Sequence, residues 1–425
     1  MERVTPCNAR PVDGAGDYVL YWMTAYRRRH FNFALERAVF WATELRKPLV
    51  IFEALSSTYR WASVRFHEFV IDGMRENCLA FQGSPVTYLP YVEPSAGEGR
   101  RRFATLLSAA CLVITDDFPA SGIPAWIEKA AVQSTVLVEK VDSNGLYPMR
   151  ATDRVFLTAA SFRRFLQQQG PPHFPAHDAL ERLDLPRGPE RLLKFDPLNV
   201  PPSIDSHVGK VPETPGGTTA ARERLKRFVA GSSARSRLSP YLHFGHISAH
   251  EVYQQVQATR RENKEHFFDE LVTWRELGFN MCALRQDYDQ YASLPLWARN
   301  TLAKHESDPR PFLYSLDALE NAETHDLLWN SAQTQLVTQG QIENRLRMLW
   351  GKKILEWSRT PQEALNALIH LNNKYALDGR DPNSYTGIFW TLGRYDRPWG
   401  PERPIFGLVR YMSSASTAKK LKIKV

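Results

Sequence analysis

Carboxylates, arginines and tryptophans that could hold an aromatic group are concentrated in the second half of this chain. Seven of the 11 tryptophans lie between residues 274 and 399. Glu270 and Trp274 are four residues apart, which on an α-helix places a carboxylate beside an aromatic ring. Trp350 and Trp357 are seven residues apart, so on a helix their indoles share one side, separated by about 10 Å of rise and close enough for electron hopping. Such residues suit a bound aromatic cofactor, although on spacing alone ordinary helix packing is the more common explanation.

Two further groups of residues have the composition of a ligand site. Asn344 and Met348 share a helix face, and Arg347 on the neighbouring stripe is placed to pair with an acidic residue such as Asp378. The segment 371–385 is dense in Asn, Asp, Arg and Gly and follows a helical stretch. This composition predicts a ligand-binding loop, with a polar turn between helices as the alternative.

The signatures of common nucleophilic, phosphate-binding and zinc-dependent enzymes are absent from the sequence. It contains no GxxxxGK[ST], GxGxxG, HExxH or GxSxG motif. The four cysteines are too far apart for a CxxC zinc or redox site. Hydrolysis by a nucleophile or by zinc is therefore disfavoured.

The elements that must position these residues differ between the two halves of the chain. Over the first 140 residues, β-rich segments alternate with helical ones, which predicts a doubly wound parallel sheet. Such sheets bind small ligands beyond the carboxyl ends of their strands. The predicted strands are 18–23, 48–55, 85–92, 111–116 and 135–141. The predicted helices are near 31–45, 60–81, 99–110 and 123–131.

The rest of the chain predicts a linker followed by helices. Residues 170–215 hold 10 of the 28 prolines, which indicates an extended surface segment. The predicted helical stretches are 218–229, 246–258, 263–285, 327–357 and 361–374, followed by a basic tail at 415–425. We therefore predict a Rossmann-like α/β domain at 1–145, a proline-rich linker at 146–217 and an all-helical domain at 218–425.

Composition limits the partners and the location. Lys and Arg number 54 against 46 Asp and Glu, which gives a formal charge of +8 and suggests either a polyanion partner or added solubility. The longest nearly uncharged stretch, 103–115, is shorter than the ~20 residues of a membrane helix. No targeting leader is recognised at the N-terminus. We expect a monomer without a membrane span, located in the cytoplasm or, in a source with a nucleus, in the nucleus.

Five segments of the second half resemble the photolyase/cryptochrome family, and specifically the class II cyclobutane pyrimidine dimer photolyases. They are LSPYLHFGHIS at 238–248, ELVTWRELGFN at 270–280, LRMLWGKKILEWS at 346–358, LNNKYALDGRDPNSYTGIFW at 371–390 and GPERPIFGLVRYMSS at 400–414. The resemblance is strong over 218–414 and extends to the first half only in layout. It implies a Rossmann-like domain joined by a linker to an all-α domain that binds FAD. It also implies that light-excited reduced flavin donates an electron to a pyrimidine dimer flipped out of UV-damaged DNA.

The resemblance assigns roles to individual residues. FAD would be bound by Ser236, Leu238, Ser239, Arg275, Arg347, Asn372, Asp378 and Arg380. Glu270 would hydrogen-bond the dimer carbonyl, where negative charge develops, and Asn372 would face the flavin N5. The lesion pocket would be lined by Trp274, Asn344, Met348 and Trp390. Electrons would reach the flavin from outside through Trp357, Trp350 and Trp329, with Trp350 as the intermediate indole.

Departures from the class II pattern leave a second hypothesis open. Segment 231–237 replaces a longer stretch that touches the lesion, Ile342 and Glu343 replace a Met-His pair, and Arg345 replaces a Tyr. Glu343 adds a negative charge that would oppose a DNA phosphate. The first hypothesis is a light-driven DNA repair enzyme, and the second is a photolyase-like flavoprotein with a signalling or redox role. A deazaflavin antenna, with 116–119 as its candidate region, stays open as a second chromophore.

Overall fold

The computed structural model describes residues 2–192, 198–260, 262 and 264–423. The chain packs as two compact units, of which the first comprises Met1–Thr152 and Pro171–Leu271 and the second Asp153–Gly170 and Val272–Val425. The borders of these units differ from the domain boundaries that were predicted from the sequence. Those domain boundaries stay predictions. The end of the predicted basic tail, residues 424 and 425, lies outside the described residues.

A six-stranded sheet forms the core of the first unit. Its strands are β1 (Val4–Pro6), β2 (Tyr18–Met23), β3 (Leu49–Leu55), β4 (Val86–Val92), β5 (Ala110–Asp116) and β6 (Val138–Val141). The spatial order is β1-β6-β5-β2-β3-β4, and every neighbouring pair is parallel except β1 with β6. All residues of β2 and β5 are buried, because a parallel sheet is covered on both faces. The predicted doubly wound parallel sheet is confirmed, and the three-residue edge strand β1 was too short to predict.

Helices make up most of the remaining structure. In chain order they are α1 (Phe33–Leu45), α2 (Val64–Phe81), α3 (Glu98–Leu107), α4 (Ile123–Gln133), α5 (Ala159–Gln168), α6 (Thr218–Val229), α7 (Ser239–His243), α8 (Ala249–Gln257), α9 (Lys264–Phe268), α10 (Arg275–Leu284), α11 (Leu296–Lys304), α12 (Leu316–Glu320), α13 (Leu327–Gln339), α14 (Asn344–Trp357), α15 (Pro361–Tyr375), α16 (Pro382–Trp390) and α17 (Ser414–Leu421). The first four alternate with the strands, and α14 packs against α13, α15 and α17 in the second unit. The all-α character predicted for the C-terminal region is confirmed. Among the described residues, no helix is long and apolar enough to cross a membrane.

Two predictions about helices and loops are corrected, and two further segments contain helices that were not predicted. The predicted helix 327–357 is two helices, since Gly340 at φ 65° ends α13 in the left-handed conformation that glycine favours. The predicted loop 371–385 is largely helical: α15 continues to Tyr375, and α16 begins at Pro382 with Asp381 as its N-cap. The first part of the predicted basic tail, 415–425, is helical and belongs to α17. The predicted linker, 146–217, contains helix α5.

The strand order reverses between β2 and β5, where doubly wound folds bind ligands. There Asp116 Oδ2 accepts hydrogen bonds from the amides of Thr24, Ala25 and Tyr26 at 2.8, 2.7 and 2.9 Å. Its Oδ1 accepts the Tyr21 hydroxyl at 2.7 Å. Asp116 therefore fastens two strand ends together, which is a structural role, and the deazaflavin antenna stays a prediction.

A close contact between α2 and a buried imidazole gives a test of the packing. A Cβ at Gly73 would lie 2.5 Å from His246 Nε2. His246 is fully buried, and its Nδ1 accepts the Gly217 amide at 2.9 Å, so the ring is held in place. We expect Gly73→Ala to lower the free energy of unfolding by about 1–3 kcal/mol, although alanine is the better helix former by about 1 kcal/mol. Urea unfolding measures this, with Gly14→Ala, which would meet nothing within 4 Å, as the control; a stabilised Gly73 variant would contradict the contact.

Candidate active site

The predicted site residues are divided between the two compact units. Four of them, Ser236, Leu238, Ser239 and Glu270, belong to the first unit, and the other twelve belong to the second.

In the first unit, three residues predicted to bind FAD lie at the start of the short helix α7. Leu238 is its N-cap and is buried, and Ser239 is its first residue. Ser236 and Ser239 are half-buried. Among the described residues, neither serine hydroxyl has a hydrogen-bond partner, which leaves both free for a ligand.

The segment that carries Glu270 differs from the predicted α-helix. Asp269–Trp274 is a π-helical segment between α9 and α10, with hydrogen bonds that span five residues instead of four, a geometry often found at functional sites. The four-residue spacing of Glu270 and Trp274 therefore does not have the expected α-helical setting. Glu270 is exposed and Trp274 half-buried. Arg275, the first residue of α10, is buried with its guanidinium 4.5 Å from the centre of the Phe279 ring.

In the second unit, the predicted pairing of Arg347 with Asp378 is present. Arg347 Nη2 lies 3.4 Å from Asp378 Oδ2. The Asp378 side chain is 7 % exposed, and its Oδ1 is a buried oxygen that accepts no hydrogen bond from any described residue. A buried carboxylate oxygen without a donor is costly, so this atom indicates a ligand that carries an N–H or O–H group.

A network of amides surrounds the turn that follows α15. Asn372 Nδ2 donates to Ser384 Oγ at 2.8 Å and to Asn373 Oδ1 at 3.1 Å. Asn373 Oδ1 also accepts the backbone amide of Arg380 at 2.9 Å, which holds Arg380 at a φ of 69°. Asn372 and Arg380 are both buried. Asn373 therefore links the two predicted cofactor residues of this turn, Asn372 and Arg380.

The side chain of Met348, which belongs to α14, packs on the side of α16 that carries Trp390. The Met348 methyl carbon is 3.6 Å from the position that a Cβ would take on Gly387, and Gly387 is three residues from Trp390 on that helix. The side chains of Met348 and Trp390 are half-buried. Asn344 begins α14 and is exposed. Glu343 is the N-cap of α14, since its Oε2 accepts the Leu346 amide at 2.8 Å, which gives this unusual carboxylate a structural role.

The three tryptophans proposed for electron transfer form a continuous series of ring contacts. Trp329 is parallel to Trp350 within 3° at a centroid distance of 6.5 Å, and it meets Trp357 edge-on at 5.5 Å. All three indoles are buried. Trp329 and not Trp350 is therefore the intermediate ring, because α13 inserts its indole between two that lie two turns apart on α14.

Two buried polar side chains that contact tryptophans of the predicted site were not predicted from the sequence. Gln333 is fully buried, and its Oε1 accepts the Trp350 indole N–H at 2.9 Å. The sequence gives one indication of this role: Gln333 lies four residues after Trp329 and therefore on the same face of α13. Lys352 is also fully buried, with its Nζ 4.8 Å from the centre of the Trp390 ring. It carries no such signal, because lysine is rarely buried.

Comparison with known proteins identifies relatives over almost the whole chain. A deoxyribodipyrimidine photo-lyase of Methanothermobacter thermautotrophicus is 34% identical over 99% of this chain and 96% of its own length. Proteins of the same name from Potorous tridactylus and Arabidopsis thaliana are 31% and 32% identical, over 95% and 97% of this chain and 79% and 89% of their own lengths.

The solved structures include a similar fold. A bacterial class III photolyase from Agrobacterium tumefaciens has a TM-score of 0.71 and 15% identity, over 95% of this chain and 84% of its own length. No protein-family model matches the chain. The similarity in sequence to three photo-lyases extends over nearly the full length. The chain therefore belongs to the deoxyribodipyrimidine photo-lyase family of enzymes.

Proposed function

We propose that this chain repairs cyclobutane pyrimidine dimers in UV-damaged DNA, using light and an electron from FAD. The observation that supports this best is the arrangement of α14. It carries Arg347, which pairs with Asp378, and three residues later Trp350, which is in ring contact with Trp329. One helix thus joins a candidate cofactor residue to a series of buried indoles, because residues three apart are neighbours on a helix surface.

The residues fit FAD chemically. The free hydroxyls of Ser236 and Ser239 suit phosphate oxygens, and the unsatisfied Oδ1 of Asp378 suits an N–H group of a flavin or adenine ring. The amide hydrogens of Asn372 are used by its neighbours, so its oxygen would accept a hydrogen bond from the flavin. When bound and reduced, FAD supplies the light-excited electron that opens the cyclobutane ring.

The lesion would contact side chains of three segments. Trp274, Met348 and Trp390 offer half-buried apolar surface against which a flipped dimer would stack. Glu270 is exposed and therefore accessible to a dimer carbonyl, and in its protonated form it would donate a hydrogen bond where negative charge develops. Asn344 is proposed to lie at the edge of this pocket.

Removal of the Asp378 carboxylate should weaken the retention of FAD. We expect Asp378→Ala to bind FAD about tenfold more weakly or worse, because it removes a ligand contact and leaves the Arg347 guanidinium unpaired. The flavin absorbance per protein after gel filtration measures occupancy. Asp317→Ala, at an exposed position in α12, is the control for charge, and unchanged occupancy in the Asp378 variant would refute this assignment.

A light-dependent repair assay tests the proposed function directly. The purified protein with FAD is reduced anaerobically and illuminated with an oligonucleotide that contains one thymine dimer, and a dark sample serves as the control. We expect restoration of the two thymines only in the light. Binding and photoreduction of FAD without repair would favour the signalling or redox alternative, and failure to take up FAD would refute both. The cytoplasmic location and the monomeric state stay predictions.

A further inference from the structure

A lysine is buried behind one of the proposed lesion-pocket residues, and it forms no ion pair with a carboxylate of any described residue. Lys352 lies in α14 and is fully buried. The preceding residue, Gly351, lets α14 approach closely, since a Cβ there would be 2.4 Å from Thr391 Cγ2. Lys352 Nζ donates to the Thr391 carbonyl at 2.7 Å and lies 4.8 Å from the centre of the Trp390 ring. The ammonium group thus contacts the end of α16 and the indole that ends it.

The charges around Lys352 do not neutralise it directly. Among the described residues, no carboxylate forms an ion pair with its Nζ. The nearby carboxylate, Asp396, is engaged by Arg410, whose Nε is 2.9 Å from its Oδ2. On α14 itself, Lys353 pairs with Glu356 at 2.7 Å. Burial lowers the pKa of Lys352 to about 7, with Asp396 raising it and Arg410 lowering it further.

Two features of the site stabilise the charged form of this group. The Thr391 carbonyl is at the C-terminal end of α16, where the helix dipole favours a cation. The face of an indole also attracts a cation, most strongly when the cation is removed from water. Arg410 lies 5.5 Å from the same ring, so Trp390 is flanked by two cationic side chains. If Lys352 served only to hold the end of α16 in place, its hydrogen bond to the Thr391 carbonyl would be sufficient, and a neutral amine could donate that bond.

We propose that the Lys352 ammonium is a positioning residue of the lesion pocket, which fixes Trp390 and adds positive potential behind it. This inference rests on the proposed function, in which a pyrimidine dimer stacks on Trp390. The positive potential acts through the indole and favours the partial negative charges that the carbonyl oxygens of a stacked dimer carry already in the dark. Protonation of Lys352 then strengthens the recognition of damaged DNA relative to undamaged DNA.

The test is the pH dependence of lesion discrimination. The affinity of the FAD-containing protein is measured in the dark for one oligonucleotide with and without a thymine dimer, between pH 6 and 8.5 at constant ionic strength. We expect the ratio of the two affinities to fall about threefold to thirtyfold as the pH rises through about 7. A flat ratio in the wild-type protein would overturn the inference without any variant.

A variant of similar shape separates the charge from the packing. Lys352→Met should give the low ratio at every pH, with unchanged FAD content and unchanged affinity for undamaged DNA. Lys420→Met, at an exposed position in α17, is the matched control for the loss of one positive charge and should keep the wild-type profile. A Lys352→Met variant with the wild-type ratio and profile would overturn the inference.

A third variant distinguishes this inference from the proposed function. Trp390→Ala should abolish most of the discrimination if the dimer stacks on that indole. If Trp390→Ala discriminates like the wild type, the proposed pocket and the role of Lys352 both fail. If Trp390→Ala loses discrimination while Lys352→Met keeps it, only the role of Lys352 fails.

Discussion

Replacing Glu270 by alanine is expected to lower the repair yield per absorbed photon by about tenfold or more, because it removes the carboxyl group that we propose donates, in its protonated form, a hydrogen bond to the dimer carbonyl where negative charge develops. Glu270→Gln keeps an N–H donor and similar volume, so its yield should be clearly higher than that of the alanine variant. Glu270 is exposed, and both variants should therefore fold and retain FAD. The measurement is the number of dimers repaired per photon by anaerobically reduced enzyme.

The neighbouring helix provides a control for charge. Glu265 is exposed in α9, and Glu265→Ala should repair like the wild type. Equal yields in the wild type and both Glu270 variants would show that this carboxylate is structural. A wild-type protein that repairs nothing would refute the proposed function and not only the role of Glu270.

Trp329→Phe is expected to abolish most of the light-driven reduction of bound FAD by an external thiol. Trp329 is the ring between Trp350 and Trp357, and a phenyl ring is much harder to oxidise than an indole. Its removal therefore leaves a gap that an electron must cross in one step. The FAD content should stay near that of the wild type, because phenylalanine fills most of the buried volume. The rate is followed by the loss of flavin absorbance under blue light.

The matched control for Trp329 is an indole outside this series of contacts. Trp297→Phe should reduce FAD at the wild-type rate, since Trp297 packs against Gly393 instead. Trp350→Phe should also slow reduction, which would show that the series acts as a unit. If Trp329→Phe and the wild type are reduced at equal rates, electrons enter by another route.

The sequence by itself determined the architecture of both parts of the chain. The strands at 18–23 and 49–55 were predictable because short buried β-rich runs alternate with helical segments, and this alternation is a local property. The pairing of Arg347 with Asp378 was also predictable, since the resemblance places both residues. Short elements such as β1 and α12 escaped prediction because three to five residues do not establish a period.

Only the tertiary structure decided how the helices combine their side chains. The order of the three indoles depends on α13 crossing α14, and spacing along α14 cannot reveal which ring lies between the other two. Glu343 reads as an isolated charge in the sequence, but it caps a helix that begins one residue later. The residues around Lys352 in the sequence do not distinguish it from a lysine on the exposed surface of a helix. It is buried because Gly351 lets the end of α16 pack closely against α14 at this point. Local patterns determine which elements form, whereas burial and contacts between elements depend on residues far apart in the chain.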